Sequence, residues 1–163
     1  MRSRRDGELG QVAVYAVVLF PVLMLVLALV LAVGTIEGLR TRLRAQLDMA
    51  ALTATQALDP ASLATGAPPR LQVAEAERLA REYLARNLGA TGDVLVSSPS
   101  EIAAAAQVVI SSEPGTDPIT GASNTAPTVS IEIAAPARIP LLGLAGIEPI
   151  VTITIDGSAA ART

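Results

Sequence analysis

A long uncharged apolar run near the N-terminus constrains this chain more than any other feature. No charged residue occurs from Leu9 to Ile36, and Val12–Val33 is apolar throughout apart from the hydroxyl of Tyr15. A helix needs about 20 such residues to cross the hydrocarbon core of a bilayer. Because lipid offers no hydrogen-bond partners, an isolated span must be helical. The sequence predicts a transmembrane helix at residues 12–34, locally kinked at Pro21.

A cleaved secretory signal is the main alternative to a retained anchor. Arg2, Arg4 and Arg5 would form its basic region, and Ala32-Val33-Gly34 would supply small residues for cleavage. The apolar run is longer than the ~7–15 residues of a typical signal core, which favours retention.

The orientation of the span is not decided by its flanking charges. Arg2, Arg4 and Arg5 precede it, while Arg40, Arg42 and Arg44 follow it, so the positive-inside rule gives a tie. We expect the N-terminus inside, because a ten-residue tail cannot form a domain.

Helical periodicity continues beyond the predicted span. Apolar residues recur at three- and four-residue spacing on one helix face, at Ile36, Leu39, Leu43, Leu47, Ala50, Ala54 and Leu58. Asp59-Pro60 should end this helix, which would run from Gln11 to Leu58 over about 70 Å at ~1.5 Å per residue.

The remaining sequence predicts a second helix and a small sheet. A Gly- and Pro-containing loop at Ala61–Arg70 precedes a helix at Leu71–Leu88, whose exposed face carries the i,i+4 pairs Glu77/Arg81 and Glu82/Arg86. The strand candidates are Asp93–Ser97, Gln107–Ser111, Val129–Ile133 and Val151–Ile155. Strict apolar–polar alternation in the last two predicts antiparallel strands with one buried and one wet face.

These elements predict an α+β fold with four segments. They are a cytoplasmic tail at residues 1–11, the transmembrane helix at 12–34, its helical extension at 35–58, and an extracytoplasmic α+β domain at 59–163. The N-terminal helix would thus extend into a soluble domain that has a second helix and a small antiparallel sheet.

Composition argues against catalysis. The chain has no His, Cys or Lys, so the usual bases of hydrolytic triads and the commonest zinc ligands are absent. Glu113 and Asp117 lie in the Gly-, Pro- and Thr-rich segment Glu113–Pro127, but their spacing fits no calcium loop, and we expect a solvated surface loop. The segment after residue 58 is acidic and poor in aromatic residues, which disfavours nucleic-acid binding. We therefore expect no enzyme activity, no cofactor, no metal and no small-molecule substrate.

Small residues in the first helix are candidates for helix packing. Gly34 and Gly38 form a GxxxG pair, a spacing that lets helices approach closely, although it also arises by chance in Ala- and Gly-rich sequence. The Ala-rich Leu47–Ala57 face is the second candidate, and its predicted packing residues are Asp48, Ala50, Ala51 and Ala54.

The first third of the chain resembles the TadE/TadG-like family of tight-adherence (Flp-type) pilus-assembly proteins. The stretches that carry this resemblance are GQVAV at residues 10–14, residues 16–21 ending in Pro21, Gly34, and RAQLDMAAL at residues 44–52. The resemblance implies a pilin-like, single-pass protein of the bacterial cytoplasmic (inner) membrane. It also implies other pilus-assembly membrane proteins or pilins as partners.

The resemblance also implies a candidate processing site between Gly10 and Gln11. Pilin-like members cleaved there carry Glu five residues after the glycine, where this chain has Tyr15.

Two functions remain open from the sequence. The first is a structural component of a Tad-type pilus or a related secretion apparatus, either minor-pilin-like or an assembly protein. The second is a membrane-tethered solute- or polymer-binding domain, with a pocket lined by Ile139, Leu141, Leu142 and Leu144. Core packing of these four residues is the simpler interpretation, because apolar loop residues usually bury against their own domain.

Overall fold

The computed structural model describes residues 3–161, with side chains described for Tyr15 and for residues 17–62 and 64–161. Its helices are α1 (Ser3–Ala54), α2 (Pro60–Ala64), α3 (Val73–Leu88), α4 (Pro99–Ala105) and α5 (Pro140–Leu144). Its strands are β1 (Gln107–Ser111), β2 (Gly115–Thr116), β3 (Ser123–Asn124), β4 (Thr128–Arg138) and β5 (Ile150–Ala160). The predicted α+β fold class is confirmed.

The described residues form two compact units. The anchor unit comprises those up to Glu37 together with Ile139–Pro149, and the sheet unit comprises Gly38–Arg138 together with those from Ile150 onward. Helix α1 contributes to both units, and Ile139–Pro149 connects β4 to β5.

Helix α1 is continuous through Pro21 but ends about one turn earlier than predicted. After Thr55 N–H donates to the carbonyl of Ala51 at 3.1 Å, the next bonds shorten to three-residue steps, with Ala57 N–H donating to Ala54 at 3.2 Å. Tightening of this kind is how helix ends satisfy their last carbonyls. The chain then pairs Leu58 with Leu71 in an isolated bridge, which removes Leu58 from the helix.

The segment predicted as a plain loop at Ala61–Arg70 contains part of α2, so that prediction was wrong over its first residues. The Asp59 carboxylate accepts a hydrogen bond from Ala61 N–H at 3.1 Å, and Ser62 Oγ donates to the Asp59 carbonyl at 2.8 Å. Asp at this position satisfies free N–H groups at a helix start, which explains why a short helix forms here.

Helix α3 packs one face into the sheet unit and leaves the opposite face in water. Its buried residues are Ala76, Ala80, Leu84 and Leu88. The predicted exposed pairs both form, between Arg81 and Glu77 at 2.9 Å and between Arg86 and Glu82 at 3.1 Å.

The main sheet is antiparallel, with strand order β1-β4-β5 and β4 in the centre. Its inward side chains come from β4 (Val129, Ile131, Ile133, Ala135, Ala137) and from β5 (Ile153, Ile155). Helix α1 contributes a buried stripe to the same unit, formed by Leu39, Leu43, Leu47, Ala50 and Ala54. The core is therefore aliphatic and rich in alanine.

Two strand predictions need correction. Asp93–Ser97 forms no strand, and only Leu95 pairs there, in an isolated bridge with Ala137. The outer face of β4 is not wet at its start, because Thr128 and Ser130 are buried. Asp117, from the segment between β2 and β3, covers this face and hydrogen bonds to Ser130.

Candidate membrane anchor and packing sites

The first candidate site is a belt of exposed apolar side chains on α1. The large apolar residues from Val17 to Val33 are all exposed, and Tyr15 at the start of the belt is 64% exposed. Within the described residues, α1 is the one helix long and apolar enough to cross a membrane by length and composition. A continuous apolar surface of this size is unfavourable in water and fits a membrane-spanning helix.

Two alanines interrupt this belt. Ala32 is 0% exposed and Ala28 is 8% exposed, whereas their neighbours Leu29 and Leu31 remain exposed. Ile139–Pro149 is the other described segment of the anchor unit. Both buried alanines and this loop therefore belong to the same compact unit.

Gly34 and Gly38 lie on an open side of α1. An added Cβ at either position would meet no atom within 4 Å, so neither glycine serves a close contact with the described part of the chain. A GxxxG pair with open space around it can accept a second helix at short distance.

The Ala-rich end of α1 is covered by the chain itself. Ala50, Ala51 and Ala54 are completely buried in the sheet unit, whereas Asp48 is exposed. The packing of these three alanines is therefore intramolecular.

Gly157 of β5 approaches α1 closely. A Cβ added at Gly157 would lie 2.8 Å from Leu47 Cβ, 2.8 Å from Asp48 Oδ1 and 3.2 Å from Asp48 N. These distances are shorter than ordinary van der Waals contact, so only glycine fits between the strand and the helix. The sequence analysis missed this residue, and its one available signal was a glycine that interrupts the alternation of β5.

The predicted processing site lies within α1. Gly10, Gln11 and Val12 are helical, and their side chains are outside the described part of the chain. Pro21 and Val33 are both exposed on the belt.

Asp117 is a second residue whose role the sequence analysis missed. It was expected to be solvated, but it is only 2% exposed. Its Oδ1 accepts hydrogen bonds from Ile119 N–H at 2.8 Å and Thr120 N–H at 3.3 Å, and its Oδ2 accepts one from Ser130 Oγ. Burial acts to raise the pKa of Asp117, but the hydrogen bonds from Ser130, Ile119 and Thr120 together lower that pKa below its usual value.

The carboxylate of Asp117 therefore has a structural role, because it fastens the β2–β3 segment to β4. Among the described residues, no three Asp or Glu side chains gather closely enough to hold a metal ion.

A cleft in the sheet unit has a volume of about 670 Å³. It is lined by the end of α1 and its continuation (Leu52, Thr55, Gln56, Leu58) and by Ser158–Ala161. None of the residues proposed from sequence to line a ligand pocket takes part in it: Ile139 and Leu142 are buried, and Leu144 is exposed.

Comparison with known families gives one match. Residues 10–67 match the family described as "Putative Flp pilus-assembly TadE/G-like", which confirms the resemblance inferred from the N-terminal motifs. No curated protein and no solved structure matches the chain. The matched segment contains the exposed apolar belt of α1, the GxxxG pair and the Ala-rich end of that helix.

Proposed function

From the family match over residues 10–67, we propose that this chain is a structural membrane component of a Tad/Flp-type pilus or a related secretion apparatus, minor-pilin-like or acting in assembly. The observation that carries the proposal is that the matched segment coincides with the one described helix able to span a bilayer. The family and this helix together fit a single-pass membrane protein. A structural role, without catalysis, nucleic acid, cofactor or small-molecule substrate, is part of the proposal.

In this proposal residues 12–34 cross the bacterial inner membrane, with the N-terminus inside and residues 59–163 outside the cytoplasm. The exposed side chains from Val17 to Val33 support the anchor, since Ala28 and Ala32 are the only buried ones among the described residues of this stretch. Processing between Gly10 and Gln11 would leave the whole belt in the mature chain.

The partner would be another membrane helix of the pilus machinery, packed against Gly34 and Gly38. Open space around both glycines supports this role, because a contact with a second helix would need no rearrangement of the chain itself. Asp48 lies exposed farther along α1 and is a candidate contact for the same partner.

Deletion of the gene in its native host tests the pilus role. We expect pili counted by electron microscopy to be lost, and to return when the full chain is supplied in trans. The double variant Gly34→Ile/Gly38→Ile should fail to restore pili, because its side chains fill the space that the partner helix needs. Val33→Ile adds bulk at an exposed neighbouring position and serves as the matched control, which should restore pili.

Unchanged pilus number and surface adhesion in the deletion strain would contradict the pilus role. Restoration of pili by the double variant would contradict only the glycine contact.

A solute-binding role is the second candidate, and the 670 Å³ cleft at Ser158–Ala161 is the observation in its favour. A thermal shift caused by a periplasmic solute, abolished by Ala159→Leu in that cleft, would support this alternative.

A further inference from the structure

The loop Ile139–Pro149 has an exposed apolar tip, although it belongs to the same compact unit as the membrane helix. Leu144 is 71% exposed and Ile147 is 49% exposed, whereas Ile139 and Leu142 of the same loop are buried. We propose that this loop is a second lipid-binding element, which inserts Leu144 and Ile147 into the membrane interface beside α1. The inference rests on the proposed membrane anchor.

The position of the loop along α1 supports contact with lipid. The loop belongs to the same compact unit as the α1 residues up to Glu37, which include the last turns of the predicted span. Ala28 precedes Val33, the end of the span, by about 7.5 Å at ~1.5 Å per residue. Interfacial segments bury their apolar side chains ~5–10 Å into the boundary between headgroups and acyl chains. A loop that packs with these last turns would lie at the depth where exposed leucine and isoleucine are favourable.

Several backbone N–H groups of the loop form hydrogen bonds within the loop, so they do not depend on water. Ile139 N–H donates to the Pro149 carbonyl at 2.6 Å, Ala145 N–H donates to Leu142 at 3.0 Å, and Ile147 N–H donates to Leu142 at 3.0 Å. Pro140 and Pro149 have no N–H to satisfy. Backbone groups left unpaired outside water are strongly unfavourable, so this internal pairing lowers the cost of moving the loop into the membrane interface.

The charged residues of this region lie at the two ends of the loop, where Glu148 directly follows Ile147. The bond between Ile139 and Pro149 closes the base of the loop, and Glu148 and Arg138 are next to that base, both exposed. From Ile139 to Ile147 the loop has no charged or hydroxyl-bearing side chain. This arrangement favours lipid over an aqueous protein partner, because the tip is apolar and belongs to the same compact unit as the exposed belt of α1.

Site-specific fluorescence in vesicles tests the inference, since the chain has no natural cysteine. The full chain with Leu144→Cys, or separately Ile147→Cys, is labelled with the dye NBD and reconstituted in phosphatidylethanolamine–phosphatidylglycerol vesicles with or without doxyl-labelled lipid. Leu23→Cys in the belt (58% exposed) is the positive control. Val73→Cys at the start of α3 (53% exposed) is the control for a comparably exposed apolar residue in the sheet unit.

We expect NBD at positions 144 and 147 to show blue-shifted emission and loss of intensity to doxyl lipid similar to that at position 23, with little loss at position 73. Quenching at 23 but not at 144 or 147 would overturn the loop proposal alone. Absence of quenching at all three would overturn the anchor as well. A blue shift that disappears on dilution with lipid and is insensitive to doxyl groups would mean that a second copy covers the loop, and would also overturn the proposal.

Discussion

The close approach of β5 to α1 predicts that Gly157→Ala destabilises the sheet unit. The added Cβ would lie 2.8 Å from Leu47 Cβ, an atom fixed to the helix backbone, so either the helix or the strand must shift. Overpacking of this kind costs about 1–3 kcal/mol. Replacing glycine also restricts the unfolded chain, which returns about 0.4–1 kcal/mol. The clash is the larger of the two effects, so we expect a net loss of stability.

Thermal unfolding of the full chain in detergent, followed by circular dichroism, measures this loss. A destabilisation of 1 kcal/mol lowers Tm by about 2–8 °C for domains in this size range. Gly115→Ala is the matched control, because Gly115 is also in a strand but an added Cβ there meets nothing within 4 Å. Adding Asp48→Ala should not restore the lost stability, since the contact with Leu47 Cβ remains. A Gly157→Ala protein as stable as the Gly115→Ala control would refute the close approach.

Two further predictions concern polar contacts of the sheet unit. Asp117→Ala should cost about 1–3 kcal/mol at neutral pH because it leaves buried hydrogen-bond donors unpaired. The folded-state pKa of Asp117 is lowered below its unfolded-state value of 3.8. The extra stability of the wild-type chain over the variant is therefore complete above pH 3.8 and is lost as the pH falls through the folded-state pKa. Urea unfolding at a series of pH values measures this difference in stability. A difference between wild type and Asp117→Ala that does not change with pH would contradict the prediction. Arg81→Ala should lower stability by about 1.5–3 kcal/mol, because Arg81 donates to the carbonyls of Ala103, Ala104 and Ala106 at the end of α4. Arg78→Ala removes exposed ion pairs with Glu75 and Glu82, so its loss of stability should be smaller and should vanish in high salt. Urea unfolding compares the two arginine variants. Equal losses of stability would show that the carbonyl contacts of Arg81 contribute nothing.

Periodicity in the sequence was sufficient to predict the main elements of the fold. The uncharged run and the three- and four-residue spacing after it predicted α1, and the alternation in β4 and β5 predicted the central pair of strands. The strand predictions were too short, because Ala134–Ala137 carries no apolar–polar contrast and includes Pro136. Beside Pro136 the partner of β4 opposite β5 is an irregular segment, whose Val96 N–H donates to the Pro136 carbonyl at 2.8 Å.

The contacts that define the candidate sites could not be predicted in the same way. Gly157 and Leu47 are far apart in sequence, and a glycine in a strand does not indicate which helix approaches it. Asp117 was predicted to be a solvated loop carboxylate, because no local sequence pattern indicates that the β2–β3 segment folds over Ser130. The exposure of Leu144 depends on where the loop meets α1, which is a tertiary property.

A retained membrane helix is the central claim, and alkaline carbonate washing of native membranes followed by intact-mass and N-terminal analysis tests it most directly. We expect the chain to stay in the membrane pellet and to begin at or before Gln11, so that the entire apolar belt is present. Recovery of a fully soluble chain that begins at Thr35 would contradict the claim, because the belt would then be a discarded signal.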